Sequence, residues 1–62
     1  MITITIETDN AAFEGRHRPR EIARILQELA VEYRSLYRPN LDGLKLRDSN
    51  GNTVGVVQDD GA

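Results

Sequence analysis

Cysteine and tryptophan are absent from this chain of 62 residues, proline occurs twice, and phenylalanine, histidine and methionine occur once each. Without cysteine there is no disulfide, no thiolate nucleophile and no cysteine-ligated zinc. The lone His17 sits in Arg16-His17-Arg18-Pro19-Arg20, where cationic neighbours offer no partner for catalysis or metal binding. It reads as an exposed loop histidine. No uninterrupted apolar run exceeds three residues, as in Leu29–Val31, far short of the roughly 20 needed to cross a bilayer, so no membrane partner is expected. The opening MITITIETD alternates and has neither a basic start nor an apolar stretch, so no secretory signal is expected there. His-Glu-x-x-His, a phosphate loop and Gly-x-Ser-x-Gly are also missing. The expectation is a non-enzymatic, cytoplasmic protein with no catalytic residue, no metal site and no cofactor.

The rest of the composition is that of a globular chain, with 39% hydrophobic and 29% charged residues and a formal net charge of −2. A chain of this length forms one domain, residues 1–62, and hides only about 60% of its unfolded surface on folding. Its core is therefore marginal, and a homodimer is one way to extend it.

Periodicity divides the chain into four elements. Ile2-Thr3-Ile4-Thr5-Ile6 alternates strictly and predicts a half-buried strand over 2–7 with its isoleucines facing the core. Thr8–Arg18 reads as a loop in which Phe13 folds back as a lid on that core. Ile22, Ile25, Leu26, Leu29, Tyr33 and Leu36 share one face at about 100° per residue, which predicts a helix over 19–38. Pro19 suits its first turn and Pro39 stops it. Tyr33 and Tyr37 read as core and boundary packing. Two alternating runs around Asn50-Gly51 predict a hairpin over 44–57, followed by a frayed tail at 58–62 that holds Asp59 and Asp60. A two-residue turn would scatter apolar side chains over both faces. A three-residue loop, Ser49-Asn50-Gly51 with Gly51 left-handed, pairs Leu46 with Val54 and Leu44 with Val56 and is preferred. The outer sheet face then carries Thr3, Thr5, Lys45, Arg47, Thr53 and Val57. The expected fold class is α+β: a two-layer βαββ domain, one helix packed on a three-stranded antiparallel sheet of order 1-3-2.

Charge is unevenly spread. Residues 16–38 hold six arginines against Glu21, Glu28 and Glu32, so the overall acidity conceals a basic middle. Arg20, Arg24, Arg34 and Arg38 fall opposite the apolar stripe, around Val31. The like-charged pairs Arg20–Arg24 and Arg34–Arg38, four residues apart, cost an isolated helix a few tenths of a kcal/mol each. Exposed helix faces are ordinarily charged, and Glu21 and Glu28 balance part of this one. These five residues are nevertheless the candidate binding surface, for an acidic protein face or for nucleic-acid phosphate. The sheet offers no aromatic platform for bases, which favours the protein partner. A second route to association is pairing of the first strand, which carries no Lys or Pro, with another chain.

Three stretches, ITIETDNAAFE at 4–14, EIARILQELA at 21–30 and LRDSNGNTVG at 46–55, resemble a group of short proteins encoded by bacteriophages and prophages of proteobacteria. The resemblance implies a phage or prophage origin and a bacterial host cell, and carries over no activity and no binding residue. Together with the missing catalytic sets, it sets the expected function as an accessory protein that binds a protein partner such as a host or defence factor. A small nucleic-acid-binding module acting through the arginine face is the alternative.

Overall fold

In the computed structural model, which describes residues 1–35 and 40–62, strand β1 (Ile2–Ile6) leads through a 3₁₀ turn (Ala11–Phe13) into helix α1 (His17–Ser35). Strands β2 (Lys45–Arg47) and β3 (Thr53–Asp59) follow. The sheet has the order β1-β3-β2 with both pairings antiparallel, so the α+β architecture and its strand order are those expected from the sequence. Helix α1 begins two residues before Pro19. The amides of His17 and Arg18 donate to the carbonyls of Glu14 (2.9 Å) and Gly15 (3.3 Å), leaving Pro19 in the first turn, where its missing N–H costs nothing. Leu36, Tyr37, Arg38 and the stop at Pro39 lie outside the described residues.

The core is Phe13, Ile25, Leu29, Leu41, Leu46, Val54 and Val57, with Ile6, Ala12, Ile22, Tyr33 and Leu44 packed around it. Phe13 is buried in the role expected of it. The Asn10 side chain fixes its turn by accepting from the Ala12 amide (2.9 Å). Tyr33 is half-buried, and its hydroxyl donates to Asp59 Oδ2 (2.8 Å), tying the helix to β3.

The hairpin corrects the expected register. Its loop is the expected one: the Gly51 amide donates to the Asp48 carbonyl (3.0 Å), the Asp48 amide to the Asn52 carbonyl (2.9 Å), and Gly51 is left-handed at φ 85°. Arg47 then faces Thr53, but Leu46 faces Gly55 and Lys45 faces Val56, because Val54 is inserted as a second bulge. Val54 is buried in the core, and the next residue, Gly55, is the one aligned with the helix-side residues Ile6 and Leu46. The alternation beyond them is inverted. Val57, expected on the outer face, is 0% exposed in the core, while Val56 stands on the outer face opposite Thr5 and Lys45. The tail is shorter than expected. Gln58 and Asp59 belong to β3, and the Asp60 amide donates to the Met1 carbonyl (3.2 Å).

The first strand and the helix stripe need a second correction. Ile2, Ile4 and Ile6 do face the helix side, opposite Asp59, Val57 and Gly55, but Ile2 remains 46% exposed and Ile4 40%. Leu26 is 42% exposed. A helix is about 10–12 Å across and strands lie about 4.8 Å apart, so one helix covers roughly two strands of three. Here it is fastened toward β2: Arg24 donates to the Arg47 carbonyl (3.0 Å) and the Ser49 amide donates to Glu21 (2.6 Å). Edge strand β1 and the Leu26 flank of the helix are left open.

Candidate functional site

Four of the predicted binding residues, Arg20, Arg24, Val31 and Arg34, lie on the described part of α1, and the structure divides them. Arg20 and Arg34 are exposed and make no ion pair among the described residues. Val31 is 55% exposed between them. Arg38 lies outside the described residues. Arg24 is engaged on three sides: its Nε donates to Glu21 Oε1 (2.8 Å), one terminal nitrogen to Glu28 Oε2 (2.8 Å), and the other to the Arg47 carbonyl (3.0 Å). Arg20 and Arg34 are separated by about 21 Å along the helix axis at 1.5 Å per residue. Between them the face is Gln27, Val31 and an arginine already balanced by two carboxylates. Rather than a continuous cationic stripe, the helix presents a middle in which Glu21, Glu28 and Glu32 outnumber Arg24, with an exposed arginine toward each end. A shallow depression lined by Arg24, Gln27, Glu28, Val31 and Glu32 lies there.

Two buried carboxylates organise the neighbouring end of the molecule. Glu21 accepts from Arg24 through one oxygen and from the Ser49 amide through the other (2.6 Å). The Arg24 guanidinium first, and then the Ser49 amide, hold its carboxyl down to about 2, against the opposing effect of burial. Asp48 gathers the hairpin loop: its Oδ1 accepts from the amides of Asn50 and Asn52 (both 2.9 Å), its Oδ2 from the side-chain amides of Asn10 (2.9 Å) and Asn52 (3.3 Å). Burial alone would raise this acid, but the hydrogen bonds from Asn52, Asn10 and Asn50 outweigh it and hold it below the usual carboxylate range. Sequence reasoning gave Glu21 only a part in balancing the arginine face and gave Asp48 no role. The Asp-Ser-Asn-Gly-Asn run does carry the Asx-turn signal for Asp48, since an aspartate side chain there accepts from the amide two residues on. Ser49 lies 28 residues from Glu21, beyond any local pattern.

Both acids bind protons more weakly folded than unfolded. The stability they contribute is complete above their unfolded values, 4.5 for Glu21 and 3.8 for Asp48, and disappears as the pH falls through the folded ones. Thermal melts are therefore expected to drop progressively between about pH 5 and pH 2. The Glu21→Gln variant should be less stable than wild type at pH 7, with the gap closing toward pH 2. A gap that stays constant over that range would show that the Glu21 carboxylate is not held by Arg24 and Ser49.

A groove of about 230 Å³ runs between the helix and β2, lined by Arg24, Ile25, Glu28, Leu29, Leu44 and Leu46 among others. It is below the roughly 300–1,000 Å³ usual for small-molecule sites. Among the described residues, no group of three or more histidine, aspartate or glutamate side chains could hold a metal ion. No described helix is long and apolar enough to cross a membrane. The geometry defines a two-layer βαββ domain of the α+β class with a mixed, exposed helix face. In comparisons with known proteins, no family model, curated protein or solved structure matches the chain.

Proposed function

We propose that the chain is a non-enzymatic protein-binding module that engages its partner through the outer face of α1, with Val31 at the centre and Arg20 and Arg34 toward the rim. The observation that carries this is the capture of Arg24 by Glu21 and Glu28 beside an exposed Val31. Phosphate recognition needs several free cations that together follow a backbone. An apolar centre with arginine at a polar rim is instead the anatomy of a protein interface. Acidic groups on the partner, spaced to meet Arg20 and Arg34, complete the match. The resemblance of residues 4–14, 21–30 and 46–55 to short phage-encoded proteins supports an accessory role in an infected or lysogenic cell, in its cytoplasm, with a host or defence factor as the partner.

The test is retention of bacterial lysate proteins on the immobilised chain, with nuclease present and at two salt concentrations. A discrete protein should be retained by wild type at both salts, and its retention should fall at least ~10-fold with Val31→Asp, which removes an apolar anchor and adds repulsion toward an acidic partner, at about 1.4 kcal/mol per factor of ten. The variant should keep its melting temperature, because Val31 is 55% exposed and lies outside the core. Retention of nucleic acid alone, lost at the higher salt and in Arg20→Glu/Arg34→Glu, would transfer the function to phosphate binding.

A further inference from the structure

The free edge of β1 is the most incomplete feature of the fold. The Glu7 amide donates to the Val54 carbonyl (2.7 Å) and the Asp60 amide to the Met1 carbonyl (3.2 Å). Antiparallel hydrogen bonds alternate along a strand, so the odd-numbered residues of this segment bond to β3. The N–H and C=O groups of Ile2, Ile4 and Ile6 therefore point away from the sheet, and none of them has another partner among the described residues. The opposite edge is protected. β2 is only three residues long and carries Lys45 and Arg47, the usual devices against unwanted pairing. Strand β1 has neither charge nor proline nor bulge between Ile2 and Ile6, and the side chains of Ile2 and Ile4 stand half uncovered on the helix side.

We infer that this edge pairs with the β1 edge of a second copy, antiparallel about a two-fold axis at Ile4, to form a continuous six-stranded sheet. The occupant follows from the strand itself. Ile-Thr-Ile-Thr-Ile reads the same in both directions about Ile4, which is what a two-fold interface demands: residue i meets j while j meets i. With the axis at Ile4, Ile2 faces Ile6 of the second copy, Ile4 faces its counterpart and Thr3 faces Thr5. All three outward-pointing residues then exchange bonds in both directions, giving six new backbone hydrogen bonds. Moving the axis by one residue either way leaves one isoleucine of each copy without its counterpart. Directly opposed side chains of an antiparallel pair lie on the same face, so the six isoleucines form one patch on the helix side. Leu26, 42% exposed, lies outside the groove between the helix and β2. The dimer leaves the outer face of α1 free, so this inference stands or falls independently of the partner proposed for that face.

An interface of two five-residue strands and a few half-exposed apolar side chains is small, at the lower end of the ~1,200–2,000 Å² typical of stable complexes. Sedimentation velocity should therefore show a concentration-dependent passage from monomer to dimer at about micromolar concentration. Ile4→Lys should shift that midpoint upward at least 100-fold while keeping the wild-type circular dichroism, since Ile4 lies outside the core. The register has a second test, because the chain contains no cysteine. Opposed residues of a hydrogen-bonded pair have Cα atoms about 5.5 Å apart, within the ~4.4–6.8 Å that a disulfide spans. Ile4→Cys should cross-link rapidly with itself on mild oxidation. Ile2→Cys should not, because its own counterpart lies roughly 13 Å away along the strand. Mixed with Ile6→Cys it should cross-link again. A chain that stays monomeric at about 1 mM overturns the inference. So does a dimer unaffected by Ile4→Lys, or equal cross-linking of Ile2→Cys and Ile4→Cys alone. A monomer that instead pairs with an unrelated extended peptide overturns it as well, assigning the edge to a different strand.

Discussion

Replacing Gly55 by alanine is expected to remove about 3 kcal/mol or more of stability, at the upper end of what an overpacked position costs. Gly55 sits at the meeting point of all three strands, opposite Ile6 on β1 and Leu46 on β2. A Cβ added there would lie 1.8 Å from the carbonyl oxygen of Thr5 and 2.9 Å from its carbon. Both atoms are backbone, so no side chain can turn aside to make room. The strand itself has to move, and with it the pairing of β1 to β3. A domain of this length is stabilised by only roughly 3–9 kcal/mol in total, at about 0.05–0.15 kcal/mol per residue. The variant should thus have a large unfolded fraction at 25 °C, visible in circular dichroism and in a urea midpoint displaced toward zero. Gly51→Ala is the control. Gly51 is left-handed at φ 85°, but a Cβ there meets nothing within 4 Å. It should cost only the ~1–2 kcal/mol of placing an alanine in that conformation. Equal effects at the two glycines would mean that backbone conformation, rather than the close approach of β1, decides the role of Gly55.

The same position explains what could and could not be read from the chain. Period-two alternation in ITITI, the helical stripe from Ile22 to Tyr33 and the Asn50-Gly51 turn are local signals, and each yields its element and the strand order. The second bulge at Val54 is not local. It lies where β3 pairs with β1 on one side and β2 on the other, beside Gly55, whose Cβ position is taken by the Thr5 backbone, and nothing in the hairpin's own alternation reveals it. One misplaced residue in a pattern of period two inverts every side chain beyond it. Hence Val57 was expected outside and is in the core. On the candidate surface, helical spacing groups Arg20, Arg24, Val31, Arg34 and Arg38 on one face, of which Arg38 lies outside the described residues. The same spacing puts Glu21 three residues before Arg24 and Glu28 four after it, within reach of its guanidinium; it cannot show that the hairpin also engages the pair, Ser49 through Glu21 and the Arg47 carbonyl through Arg24. The uncovered isoleucines of β1 have a similar origin. The sequence shows which way they face, whereas their exposure is set by where the single helix comes to rest.

Phe13→Ala is expected to be the most damaging change to the core, costing about 3–5 kcal/mol. Phe13 is the largest apolar side chain in the core and the only part of the connection between β1 and α1 that is fully buried. It is held there from both directions. Asn10 organises the 3₁₀ turn by accepting from the Ala12 amide, and fastens the turn to the hairpin by donating to Asp48. Truncation to alanine therefore leaves a cavity in the core cluster that the fastened turn cannot collapse to fill. It also removes the apolar anchor of the whole segment. With total stability of roughly 3–9 kcal/mol, a loss of this size should unfold most of the population. Phe13→Leu, which keeps most of the volume, should cost under about 1.5 kcal/mol and retain the native spectrum. Urea titrations should show the midpoint shifting with an unchanged slope, since the surface exposed on unfolding stays nearly the same. Protein concentration has to be held constant across the series, because dimer formation through β1 would add stability that depends on concentration. A Phe13→Ala variant within about 1 kcal/mol of wild type would show that the turn relaxes into the space, and that Asn10 and Asp48 alone hold the connection in place.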